Sequence, residues 1–187
     1  MRLFTAITLP EEVQDQLAGL ANGLPGARWV NADSLHLTLR FLGELDGAEA
    51  ADVDTALTEI HLPGFELELA GVSHFGDGRK VRSLWVGVGA NPALTRLQSK
   101  IEMAVVRAGL APERRKFKAH VTLARFKSSP GSKLQEFLAH HALFRLPPFP
   151  VTSFTLYSSF LSHEGAIYRA EADYPLERPE LVAAPEA

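Results

Sequence analysis

The chain reads as an α+β protein built from two similar lobes. Three observations point there. Segments in which apolar residues alternate with period two are interleaved with segments in which they recur at helical spacing. The order is strand, helix, strand, helix, hairpin, then helix, strand, helix, hairpin, with no long linker between the two runs. The stretch Leu35-His36-Leu37-Thr38-Leu39-Arg40-Phe41-Leu42 of the first run returns in reduced form in the second, as His120-Val121-Thr122-Leu123-Ala124-Arg125-Phe126. That recurrence has the look of a drifted internal duplication.

Taken in order, Arg2 to Leu9 alternates as a strand, and Pro10-Glu11-Glu12 opens a helix with Val13, Leu17, Leu20 and Leu24 on one face. Pro25-Gly26 ends it. Trp29 reads as a core or edge residue in preference to a cover for the site, and the turn-prone Asn31-Ala32-Asp33 leads into the first motif. Leu35, Leu37, Leu39 and Phe41 fall at every second position, which marks a half-buried strand, and Gly43 breaks it. A second helix from Asp46 carries Val53, Leu57 and Ile60 before Pro63-Gly64. Phe65 to Val72 and Val81 to Val88 read as an antiparallel hairpin across the glycine-rich turn Ser73 to Gly78, which puts His74 and Phe75 near a loop. Asn91-Pro92 is a strong helix start, followed by the stripe Leu94, Leu97, Ile101 and Val105 and the stop Gly109. After the second motif strand comes a short helix, Pro130 to His140, at whose end His140 and His141 sit too close in sequence to face one ligand. Val151 to Phe160 and Ala166 to Tyr174 form a last hairpin. Residues 1–174 are expected to form one domain, and the Pro-, Glu- and Ala-rich 175–187 a loose tail.

With 46% hydrophobic and 22% charged residues the composition is that of an ordinary soluble protein. No apolar run is long enough to span a bilayer and no signal-peptide core follows Met1, so a cytoplasmic protein without membrane partners is expected. Zero Cys excludes disulfides, thiolate catalysis and Cys-based metal sites, leaving His to carry acid–base chemistry near neutral pH. A net charge of −3 argues against a protein that coats nucleic acid. Yet six of the 19 basic residues, Arg114, Arg115, Lys116, Lys118, Arg125 and Lys127, surround the second motif. Such a run is either a solvated face or a guide for an anionic substrate.

Alternation puts His36, Thr38 and Arg40 on one face of the first motif strand and His120 with Thr122 on one face of the second, each His and Thr about 6–7 Å apart. By strict alternation Arg125 falls on the opposite face from His120, unless the parity breaks near the strand end. One His-x-Thr is most simply a polar strand face in water; two matched copies suggest a site. Facing histidines can divide the work of acid and base, and threonine hydroxyls can donate to phosphoryl oxygens, so the set suits a phosphodiester. No metal is implied, since neither His-Glu-x-x-His nor a clustered acid/His triad occurs.

The tetrapeptides His36-Leu37-Thr38-Leu39 and His120-Val121-Thr122-Leu123 resemble the paired signature of the 2H phosphoesterases. Their longer contexts look like the bacterial and archaeal RNA 2′,3′-cyclic phosphodiesterases, historically called 2′-5′ RNA ligases, and the resemblance runs to about Tyr174. It implies two lobes related by a pseudo-twofold, each an antiparallel sheet with outer helices, and a cleft between the sheets. It implies that His36 protonates the leaving 3′-oxygen, that His120 takes a proton from water, and that Thr38 and Thr122 hold the phosphate. Arg40, Phe41, Arg125 and Phe75 are secondary candidates for substrate contact, with a base stacked on the Arg125 guanidinium in the family's manner. The expected partners are RNA ends or small cyclic nucleotides, with no cofactor and a monomeric chain. End joining through a 2′-5′ bond, the same chemistry reversed, and a non-catalytic RNA-end binder are the alternatives.

Overall fold

The two motif strands meet edge to edge. In the computed structural model, which describes residues 1–178, the elements are β1 (Arg2–Thr8), α1 (Glu11–Ala18), β2 (Ala27–Trp29), β3 (His36–Glu44), α2 (Gly47–Thr58), β4 (Phe65–Leu67), β5 (Leu69–Phe75), β6 (Ser83–Val88), α3 (Pro92–Arg107), β7 (His120–Phe126), α4 (Ser132–His140), β8 (Phe149–Val151), β9 (Ser153–Ser162) and β10 (Gly165–Pro175). All the strand pairs are antiparallel, and the main sheet has the order β10-β9-β1-β3-β7-β6-β5, with β2 alongside β7. Between β3 and β7 the one residue pair among the described residues is Leu37↔Val121.

This order is a palindrome about the β3/β7 junction. Reading outward, β3, β1 and β9 on one side answer β7, β6 and β5 on the other. The lobes are therefore not the two halves of the sequence. The hairpin strand β9 from the second run completes the sheet of β1 and β3, while β5 from the first run completes that of β6 and β7. The short strands β4 and β8, one from each run, pair with each other. Beneath the sheet one apolar core joins Leu37, Leu39, Val121 and Leu123 to residues of all four helices, among them Leu17, Leu57, Leu97 and Phe137. No helix among the described residues is long and apolar enough to cross a membrane.

Local chemistry explains most element ends. Asp46 caps α2 through the Glu49 backbone N–H while the Glu49 carboxylate accepts from the Asp46 N–H, a complete capping box. Asn91 caps α3 by accepting from the Leu94 N–H at 3.0 Å, with Pro92 in the first turn. Helix α1 is shorter than its stripe: it stops at Ala18, because Gly19 is a poor continuation, while Leu20 and Leu24 reach the core from the following turns. The expected strand from Phe65 to Val72 is two strands, since Leu67 pairs with β8 and Leu69 with β6, so the chain changes sheets at Glu68. The second of these runs on to Phe75, which places His74 and Phe75 on a strand rather than in the turn. The C-terminal segment also stays ordered further than composition suggests. Pro175 closes β10, Leu176 is buried and the Glu177 N–H donates to the Leu62 carbonyl at 2.8 Å. Residues 179–187 of the expected tail lie outside the described residues.

The feature that alternation misses is a bulge just after the Thr of each motif. Opposite β1, Thr5 and Ala6 face Arg40 and Thr38, so Leu39 is the extra residue of β3. Opposite β6, Leu84 and Trp85 face Ala124 and Thr122, so Leu123 is the extra residue of β7. Both bulges fall on the Leu that follows the Thr, and each inverts the facing of what comes after. Arg40 thereby turns away from His36 and into the core face, where it is 8% exposed. It donates to the Glu102 carboxylate of α3, to the Phe41 carbonyl and, at 2.7 Å, to the Ala111 carbonyl. The expectation that Arg40 shares the His36 face and meets substrate is thus overturned. Phe41 and Arg125 are turned the other way and stand exposed.

Removing Arg40 strands the Glu102 carboxylate. Arg40→Ala is expected to cost about 2–4 kcal/mol, somewhat under a fully buried pair because Glu102 keeps some access to water. Urea denaturation midpoints check this, and the double replacement Arg40→Met/Glu102→Met should recover much of the loss.

Candidate active site

The histidines are held in the same way. The Nδ1 of His36 lies 2.7 Å from the carbonyl of Ser34, and the Nδ1 of His120 lies 2.6 Å from the carbonyl of Lys118. A carbonyl can only accept, so each Nδ1 carries a proton and each Nε2 is left as the working nitrogen, basic when neutral and a donor when charged. At His36 that nitrogen is 3.0 Å from the Thr38 hydroxyl. Because both residues adjoin the Leu37↔Val121 pair, the antiparallel register sets His36 on the Thr122 side and His120 on the Thr38 side of one sheet face.

Aromatic rings wall both imidazoles. Phe4 lies 5.1 Å from His36 between ring centroids, Tyr168 meets it edge-on at 5.1 Å, and Tyr157 stands at 6.4 Å. Phe75 meets His120 edge-on at 4.9 Å and Trp85 lies at 5.8 Å. The Lys118 ammonium sits over the Trp85 and Phe75 rings at 4.7 and 5.7 Å.

Burial among these rings is the largest influence on both imidazoles and holds each below its ordinary value of 6.5. The carbonyls of Ser34 and Lys118 oppose this by favouring the charged ring, while the Arg125 guanidinium presses both downward. His120 further disfavours charge on His36, and the Lys118 ammonium does so on His120. These influences favour the neutral form of both imidazoles, which stand beside two cations. What would restore charge to one of them is an anion.

The structure gathers His36, Thr38, His120, Thr122, Phe41, Arg125 and Phe75 around this face, and leaves out Arg40. Arg125 arrives there through the bulge at Leu123, against strict alternation. Phe4, Trp85, Tyr157 and Tyr168 were not singled out from the sequence, and Lys118 only as one of the basic residues around the second motif. Alternation alone could place Phe4 and Tyr157 on a face of their strands, but the crossed-over order that brings β9 beside β1 leaves no local trace. Trp29 packs on Phe137, in the structural role expected. His140 and His141 meet edge-on at the end of α4 beside an open hollow of about 710 Å³ that also includes Lys133 and Asn22, away from the motif strands. Among the described residues no group of three or more His, Cys, Asp or Glu could hold a metal ion.

A family model described as "LigT like Phosphoesterase" matches the chain twice, over residues 7–85 and 86–168, one motif strand in each match. The chain belongs to the LigT-like phosphoesterase family. Its division falls within β6, so the two matches reproduce the palindrome of the sheet. The chain is 33% identical over 149 residues to a protein of Aeropyrum pernix named RNA 2′,3′-cyclic phosphodiesterase, an alignment covering 79% of this chain and 84% of the relative. It is 34% identical over 167 residues to the Escherichia coli protein of the same name, covering 84% and 86%. The crystal structure of E. coli LigT complexed with 3′-AMP superposes with a TM-score of 0.76 at 31% identity, covering 95% of this chain and 98% of that one.

In this family member the histidine environment has a measurable signature. Imidazole proton shifts followed by NMR should show both His36 and His120 titrating below 6.5, and Arg125→Gln should raise both. Saturating inorganic phosphate should raise them as well, since it opposes the guanidinium. The sign for stability follows: unfolded imidazoles bind protons first, so the folded state loses stability as pH falls from 6.5 toward the folded values. A lowered pair in Arg125→Gln would refute the electrostatic reading.

Proposed function

We propose that this phosphoesterase hydrolyses the 2′,3′-cyclic phosphate ends of RNA to 2′-phosphates by paired-histidine acid–base catalysis. The observation that carries the reading is the matched tethering of the two imidazoles, each with Nδ1 committed to a carbonyl and Nε2 left as the nitrogen that can exchange a proton. The names of the Aeropyrum and E. coli relatives support the substrate.

In this mechanism a water molecule is deprotonated by neutral His120 as its oxygen bonds to phosphorus. The bond from phosphorus to the 3′-oxygen breaks, and that oxygen takes the Nε2 proton of charged His36. Thr38 and Thr122 donate to the phosphoryl oxygens, and Arg125 offsets their growing charge. The phosphate supplies the anion that lifts one imidazole into its charged form, so substrate binding itself prepares the acid. Phe75 and Phe41 offer apolar surface to the base and sugar, and the cations from Arg114 to Lys118 draw the RNA chain toward the site.

His36→Ala and His120→Ala should each lose about two to four orders of magnitude in turnover while staying folded, and the double variant should be little worse than the worse single. Rate against pH assigns the roles. Where hydrolysis limits, the wild type should give a bell, His120→Ala should lose the acid-side limb, and His36→Ala the alkaline one. The opposite pattern exchanges acid and base, and undiminished turnover in either variant refutes the mechanism. With proton transfer and phosphate contacts supplied by side chains, the wild-type rate should also persist in excess EDTA; a loss restored by a divalent ion would count against it.

A further inference from the structure

The site is pseudo-symmetric in its motifs but not in its hydroxyls. Through the palindrome, Tyr157 on β9, which pairs with Phe4, corresponds to Phe75 on β5, which pairs with Ser83. Likewise Thr8, the cross-strand partner of His36, corresponds to Gly87, the partner of His120. Both positions on the His36 side therefore carry a hydroxyl that the His120 side lacks.

Those hydroxyls form a chain whose direction is fixed at one end. Thr155 Oγ1 donates to the Asp173 carboxylate at 2.9 Å, since a carboxylate oxygen can only accept. Thr155 has then used its proton, so the contact of 3.4 Å between Thr8 and Thr155 must be donated by Thr8. Thr8 has in turn used its own, so the hydrogen bond between Tyr157 and Thr8 is donated by the Tyr157 phenol. Each hydroxyl has a single proton to give, and the chain consumes all three. The Tyr157 oxygen is left with lone pairs alone, on a ring stacked on Phe4 at 5.4 Å and 6.4 Å from His36. An oxygen so committed repels phosphoryl oxygens and suits a hydroxyl donor.

On this basis we infer that Tyr157 is a specificity residue whose phenolic oxygen accepts a hydrogen bond from the sugar hydroxyl released on the His36 side of the phosphate. The inference rests on the hydrolysis reaction above, in which His36 protonates the 3′-oxygen. A cyclic phosphate holds that oxygen in an ester without a proton, so the contact is absent in the substrate and forms as the P–O bond breaks and the proton arrives. The acceptor thus favours the leaving hydroxyl at the one side of the site where a hydroxyl is made. On the other side, where water enters, Phe75 and Gly87 offer no such oxygen.

Equilibrium binding tests this without turnover, using adenosine 2′-phosphate and its 3′-deoxy analogue on wild type and Tyr157→Phe. That substitution keeps the ring that packs on Phe4. Wild type should bind the 3′-hydroxyl ligand about three- to tenfold more tightly than the deoxy ligand, the usual worth of one hydrogen bond. In Tyr157→Phe the preference should collapse to within about twofold, with affinity for the deoxy ligand unchanged. No preference in the wild type, or equal weakening of both ligands by the substitution, overturns the inference. Hydrolysis of adenosine 2′,3′-cyclic phosphate by wild type is measured alongside. Turnover with no coupling removes the role of Tyr157 and leaves the reaction standing, whereas absence of turnover overturns the reaction itself.

Discussion

A single antiparallel residue pair, Leu37 with Val121, is the constraint on which the rest of the molecule depends. Among the described residues it is the one residue pair that joins β3 to β7, and the residues flanking it on either side are the four motif residues His36, Thr38, His120 and Thr122. Both paired side chains are fully buried, so the junction is pinned from below by the core while the polar residues are turned to the opposite face. A slip by one residue in either strand would bury its His and Thr and expose its apolar set. The same alternation that makes the core therefore aims the site.

Burial serves the chemistry through the imidazoles. Phe4, Tyr157, Tyr168, Phe75 and Trp85 exclude water from the rings, which depresses the charged form, and Arg125 adds to the depression. A pair poised in this way binds protons poorly until an anion arrives. In the proposed reaction, desolvation and a resident cation thus make proton uptake depend on the bound phosphate, whereas a more exposed pair would follow solvent pH. The carbonyls of Ser34 and Lys118 act against burial and keep the charged state within reach.

Much of this was legible in the sequence because it rests on local patterns. Alternation around the two motifs placed His and Thr on a common face, the apolar stripe after Asp46 and the cap at Asn91 marked α2 and α3, and the repeat announced a second lobe. The errors have a common physical source, which is that neighbours along a sheet are chosen by distant residues. The bulges at Leu39 and Leu123 arise from pairing with β1 and β6, and no residue type at those positions signals them. Hence Arg40 was expected beside His36 and lies in the core with Glu102, while Arg125 reached the site against strict parity. The aromatic walls were hidden for the same reason, since Tyr157 and Tyr168 come to His36 only through the crossed-over placement of the last hairpin.

A duplicated fold gives two equivalent half-sites, yet the hydrolysis proposed here is unequal, with water entering on one side and an alcohol leaving on the other. The inequality must come from residues outside the repeated motif. Two positions supply it. Where β3 carries Phe41, β7 carries Arg125, which puts a permanent cation on one half only. Where β5 carries Phe75, β9 carries Tyr157, tied through Thr8 and Thr155 to the Asp173 carboxylate of β10. Among the described residues no named strand answers β10 beyond β5, where the chain adds only an isolated bridge between Ala70 and Arg145. The extra strand provides the carboxylate that sets the direction of the hydroxyl chain, so the least symmetric element of the fold joins Arg125 in distinguishing the two ends of the site.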